Sequence, residues 1–147
     1  MPIIDRLASV SDLPDSHGYA HAVVASGPLA FIAGQVAMDA DGNLVGADDI
    51  RAQTEQAMRN LEAILTTLGA GWADVARLGW YVLDTCLVDG TGLQVIRDVR
   101  DEFLRPALGD RVNPASTLIG VGGLFRPGYL VEVDAVVAVP ERGRRSS

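Results

Sequence analysis

Two acids set two residues apart in an otherwise apolar run carry the first chemical signal. Residues 129–139 are nearly all Val, Ala and Leu, yet include Glu132 and Asp134. In an extended strand, residues i and i+2 share a face, so the two carboxylates stand roughly 7 Å apart on one side. Such a pair is costly on a core strand unless it is paired or wet. Two readings follow: acids matched by arginines at a subunit contact, or a pocket acid or base with a raised pKa. His17 and His21 could share a face of an extended segment, but no third ligand is obvious, so surface or loop histidines are expected. Ser116 and Thr117 lack the strand-turn-helix elbow of a nucleophile, and their hydroxyls are expected to satisfy the backbone. Cys86 has no cation beside it in sequence and reads as a small structural residue. Gly120, Gly122 and Gly123 open no helix, which points to close backbone approach rather than dinucleotide binding.

Composition removes several classes of chemistry. All 12 basic residues are arginine, so lysine Schiff bases and lysine-anchored pyridoxal phosphate are out. A Walker-type phosphate loop is absent. One cysteine allows no intrachain disulfide or cysteine-rich metal cluster, and a reducing cytoplasm is the simplest setting. No cofactor and no metal are expected. Net charge is −7, and the dense basic run is confined to residues 142–145, so nucleic acid is an unfavoured partner. No membrane segment and no signal peptide are expected.

The elements that must position these residues can be read from periodicity. Residues 3–8 suit a short edge strand. Runs 19–26 and 29–36, split by Gly27-Pro28, give a hairpin signal, and residues 39–43 carry turn chemistry. Ile50, Ala57, Met58, Leu61, Ile64, Leu65 and Leu68 predict a helix over 48–68, with Asp48 as N-cap and Gly69 at the end. A strand is predicted over 74–84, a second amphipathic helix over 91–104 stopped by Pro106, and strands over 115–122 and 129–139. The order β-β-β-α-β-α-β-β implies one α+β domain over residues 1–140. Its mixed sheet would carry both helices on one face, and a disordered tail over 141–147 would follow. The other sheet face would lie bare, which predicts oligomerisation.

Several segments, in this order, resemble the RidA (YjgF-like) family, also known as endoribonuclease L-PSP. Residues 33–36, Ala-Gly-Gln-Val, resemble its "SGQ" strand end. The helix across residues 53–61 resembles its "QARQSLDNV" helix, and strand 77–84 its third core strand. Asn113-Pro-Ala-Ser-Thr-Leu118 with Val131-Glu-Val-Asp-Ala135 resembles its "PARSCVEV … IEIEA" signature. The resemblance spans about residues 17–139 and implies a chorismate-mutase-like fold packed as a homotrimeric barrel, with pockets between subunits. It further implies cofactor-free hydrolysis of enamines and imines to ketoacids and ammonia.

Carried over position by position, the resemblance puts the catalytic glutamate on Glu132, leaving Asp134 a structural role. The pocket tyrosine falls on Tyr19 and the backbone-contact glycine on Gly34. Four positions depart: the carboxylate-gripping arginine falls on Ser116, a cysteine on Leu118, a serine on Ala33 and a helix asparagine on Arg97. A serine hydroxyl cannot replace a bidentate arginine. The expectation is therefore a hydrolase or deaminase acting on an enamine, imine or related substrate other than the standard 2-iminoacids, neutral or more apolar. Arg97 or Arg126 could restore a cation from another direction. The alternative is a non-catalytic small-molecule-binding or regulatory module. An RNA-cleaving role is disfavoured by the acidic charge.

Overall fold

The apolar strand over residues 129–139 becomes the spine of the molecule. In the computed structural model, which describes residues 2–16 and 18–141, Val131–Ala138 (β7) lies between Val75–Leu83 (β5) and Leu29–Val36 (β4), antiparallel to both. Asn113–Val121 (β6) runs parallel to β5, and the two-residue strand Tyr19–Ala20 (β2) closes the far edge. The five-stranded order is β2-β6-β5-β7-β4, a mixed sheet. Helices Ile50–Thr67 (α1) and Thr91–Leu108 (α2) cover one face. Cross-strand rows Leu78–Ala135 and Trp80–Val133 meet Ala57, Met58, Leu61 and Leu65 of α1 and Ile96, Val99 and Leu104 of α2 in one buried cluster. The α+β class and the one-sided helices stand as read from the sequence.

Four local expectations are corrected. Residues 19–26 and 29–36 form no hairpin: Ala22–Ala25 (β3) pairs with Ile3–Leu7 (β1) in a separate two-stranded sheet, while β4 pairs with β7. The chain breaks at His21, between β2 and β3, and again at Gly27-Pro28. There Gly27 takes a φ of +82° and the Pro28 carbonyl accepts from the Val139 amide. The N-cap of α1 is Asp49, whose carboxylate accepts from the Ala52 amide; Asp48 sits at a φ of +59° just outside. Pro106 does not stop α2. It costs the Glu102 carbonyl its helical partner, but both residues are exposed, so water can serve there. Burial of Leu104 and Leu108 holds the last turn. Gly122 and Gly123 have open space where a side chain would be, so no close approach explains them.

Helix α1 does more than fill the core. Gln53, fully buried, donates to the Gly46 and Gly128 carbonyls at 3.1 and 2.9 Å and accepts from the Leu130 amide at 2.8 Å. Asn60, two turns on, donates to the Val36 and Met38 carbonyls at 3.0 and 2.8 Å. One helix face thus pins the two loops that flank the β4–β7 pair. Each buried backbone group left without its partner costs about 1–3 kcal/mol. Gln53→Ala is expected to lower stability by about 3 kcal/mol, a fall in Tm on the order of 10 °C for a domain of this size, readable by thermal denaturation.

Candidate functional site

With its helix-side face buried, the sheet presents the other face to solvent. Phe31 is 77% exposed and Ile119 47%. Across three strands Ile119, Tyr81 and Glu132 lie side by side, and Thr117, Gly79 and Asp134 form the next row. Glu132 and Asp134 therefore share the open face, as their spacing predicts.

The two acids have different surroundings. Asp134 accepts from the Tyr81 hydroxyl at 3.0 Å and faces the Arg77 guanidinium at 3.7 Å. It lies over Gly79, where a Cβ would fall 2.2 Å from its oxygen. Glu132 lies over Gly34 in the same manner: a Cβ there would fall 2.0 Å from Oε2. Gly34 belongs to a register break in β4 between Ile32 and Gln35, an extra residue that turns the strand locally around the carboxylate. The Glu132 carboxylate makes no hydrogen bond to another described residue. Burial, and then the neighbouring Asp134 charge, push its carboxyl above the ordinary glutamate range. An acid held partly dry, unpaired and biased toward protonation is equipped to take and return a proton.

Glu132 and Gly34 line a cleft of about 640 Å³, bordered by Gln35, Met38, Asn60 and Phe125. Tyr19, Arg97, Ser116 and Leu118 are elsewhere. Ser116 and Leu118 pair with Leu78 and Trp80, so they point to the helix side of the sheet. With Tyr19 and Arg97 they line a second pocket of about 110 Å³ against α2. Ala33 is exposed on β4 and lines neither. Within one protomer the expected site residues thus form two groups on opposite sheet faces. The small pocket also holds Arg100, which the sequence reading missed. The available signal was its α2 spacing: Leu93, Ile96, Arg97 and Arg100 recur as one helical stripe.

Other expectations fall out as follows. Neither the Ser116 nor the Thr117 hydroxyl hydrogen-bonds another described residue, so these hydroxyls do not serve the backbone. Burial raises the Cys86 thiol's pKa, which suits an inert structural residue. His21 is half-buried, edge-on to Tyr19, with Nε2 unpartnered; His17 and residues 142–147 lie outside the described residues. Among the described residues no cluster of three His, Cys, Asp or Glu could hold a metal ion, and no helix is long and apolar enough to cross a membrane.

A one-sided α+β sheet with an acid cradled by a glycine bulge on its open face defines the structural class. Residues 11–139 match the family model described as Endoribonuclease L-PSP, and the chain belongs to that family, the RidA or YjgF-like proteins. Protein DfrA of Myxococcus xanthus is 31% identical over 119 residues, covering 80% of this chain and 82% of that protein. The 2-iminobutanoate/2-iminopropanoate deaminase of Dermatophagoides farinae is 25% identical over 134 residues, covering 91% and 96%. The structure of the Rid-family protein YyfB from Yersinia pestis superposes with a TM-score of 0.80 at 35% identity, covering 94% of this chain and 99% of that one.

Two measurements test the acid's setting. The raised carboxyl favours the fold while protonated, and that contribution is lost as pH climbs from the ordinary glutamate range, about 4.3, through the folded-state value. Glu132→Gln should therefore melt at a higher temperature than wild type at neutral pH, with the gap closing below about pH 4. In Gly34→Ala the atoms that must move are the end of a flexible side chain, so the fold should persist. The carboxylate should swing toward water, and a carbon-13 NMR titration should find its pKa lowered toward the ordinary value.

Proposed function

We propose that this protein is a cofactor-free hydrolase of the deaminase type, acting on an enamine or imine, with Glu132 as its general base and acid. The observation that carries the reading is the Glu132 carboxylate poised over Gly34, without a protein partner, in a cleft of ligand size. The similar deaminase of Dermatophagoides farinae supports the reaction class. Glu132 takes a proton from a water that adds to the C=N carbon. That proton returns to nitrogen to give a carbinolamine, and the carbinolamine's hydroxyl proton then passes through Glu132 to the same nitrogen as the C–N bond breaks, so imine and water leave as carbonyl compound and ammonia. An acid with its pKa moved up toward neutrality is better matched to this exchange than an ordinary glutamate.

The working assembly in this proposal is a homotrimer. The exposed Phe31 and Ile119 on the open face give apolar surface that a neighbouring subunit would cover. Docking one protomer's open face near another's Ser116 pocket would unite the two groups of site residues. The substrate is one that needs no arginine at position 116, which sets it apart from substrates gripped by a cation on β6. The all-arginine, single-thiol composition is compatible with cytoplasmic work.

The test is turnover of imines generated in place, by an amine oxidase for neutral imines and an amino-acid oxidase for 2-iminoacids, with carbonyl product followed over time. Glu132→Gln should lose roughly a hundredfold or more while keeping the oligomeric state of wild type. Undiminished turnover would overturn the assignment. Saturable ligand binding with no turnover across the imine panel would replace it with a non-catalytic binding module.

A further inference from the structure

We propose that Arg100, assisted by Arg97, forms a carboxylate-binding subsite on the helix side of the sheet, in the space that Ser116 leaves open. The inference deepens the imine-hydrolase reading and rests on it for the claim that the bound acid is part of a substrate. It replaces the neutral, apolar substrate suggested by Ser116 alone.

Arg100 is only 9% exposed, and a guanidinium is rarely buried without purpose. Its one intrachain partner is Asp101, bound through Nε at 2.9 Å. Asp101 is itself held by Arg100 and by the Asn113 amide, which keeps its carboxyl below the usual range although burial works the other way. That pairing occupies one N–H and leaves the two terminal nitrogens without a hydrogen-bond partner among the described residues. They are not sealed in either, since the fully buried unpartnered atoms are those of Arg6, His21 and Arg105. Nη2 lies 3.5 Å from where a Gly18 side chain would begin, so the glycine, at a φ of +93°, puts no side chain against that end. The terminal pair of a guanidinium is the fork that takes a carboxylate with two parallel bonds.

The pocket around it fits that ligand. Tyr19 and Ser116 bring hydroxyls, Arg97 a second cation without an ion-pair partner among the described residues, and Trp80, Leu93, Ile96 and Leu118 apolar walls. At about 110 Å³ it is larger than the space one water needs and suits a small group such as a carboxylate. A long cation at position 116 would fill this space and press against Arg100. The serine and the buried arginine are therefore complementary: the cation that binds the acid group comes from α2 instead of β6.

Calorimetric titration of the intact protein separates the possibilities. The probes are propanoate, butanoate and 2-oxobutanoate, each beside its neutral amide. The carboxylates should bind roughly tenfold or more tightly than the amides. Arg100→Met should erase that preference while leaving amide binding unchanged, and Arg100→Lys, which keeps the charge and protects the fold, should retain part of it. Equal binding of acids and amides by wild type, or an unchanged preference in folded Arg100→Met, would overturn the subsite. The same titrations on Glu132→Gln should show full carboxylate preference. If that variant keeps its turnover, the hydrolase assignment falls while the subsite stands. If it loses turnover but wild type shows no acid preference, the reverse holds.

Discussion

A carboxylate pressed against bare backbone is the constraint around which this molecule is arranged. Glu132 can occupy its place only because Gly34 offers no side chain, and Gly34 can lie there only because β4 carries an extra residue between Ile32 and Gln35. Removing an acid from water without supplying donors costs free energy, which the surrounding sheet must absorb. Asp134 meets the same steric demand over Gly79 but recovers much of the cost through Tyr81 and Arg77. The pair shows how two identical functional groups, two residues apart, acquire different chemistry from their neighbours alone.

What keeps the arrangement in register is the polar face of α1. A helix packed by Met58, Leu61 and Leu65 would hold the sheet without fixing the loops above it. Gln53 and Asn60 supply the missing directionality, since hydrogen bonds constrain position and angle where apolar contact constrains mainly distance. The loop after β4 and the loop before β7 both end at the Glu132 cleft, and both are tied to the same helix. The cleft's shape therefore depends on Gln53, which lies outside it, as much as on Asn60, which borders it.

The layered fold was legible in the sequence because burial has a period. The helical stripe from Ile50 to Leu68 and the near-continuous apolar run of β7 admit few arrangements, and the shared face of Glu132 and Asp134 follows from strand geometry alone. What escaped was decided by distant partners. Gly27-Pro28 has the local chemistry of a hairpin, yet β7 offers β4 a longer and more apolar partner than β3 does, and β1 takes β3 instead. Pro106 breaks a hydrogen bond, but Leu104 and Leu108 outweigh that loss through packing. Of the candidate site, Glu132, Gly34 and the Tyr19–Arg97–Ser116–Leu118 group lie in real clefts, while Ala33 lines none. Arg100 sits on the Leu93–Ile96 stripe of α2, but arginine on a helix ordinarily reads as surface, and the tertiary fold is what shows it buried.

The separation of the two groups by the thickness of a single sheet bears on how such a scaffold can diversify. The acid on the open face is governed by β4, β7 and Asp134; the pocket behind it is governed by α2, β6 and β2. Within one protomer the two share almost no neighbours, so a substitution in one leaves the packing of that protomer's other group nearly untouched. A lineage built on this frame can exchange one recognised chemical group for another on the helix side without disturbing the proton-transfer apparatus on the far side. New specificity can then arise by single steps that never pass through a broken catalyst.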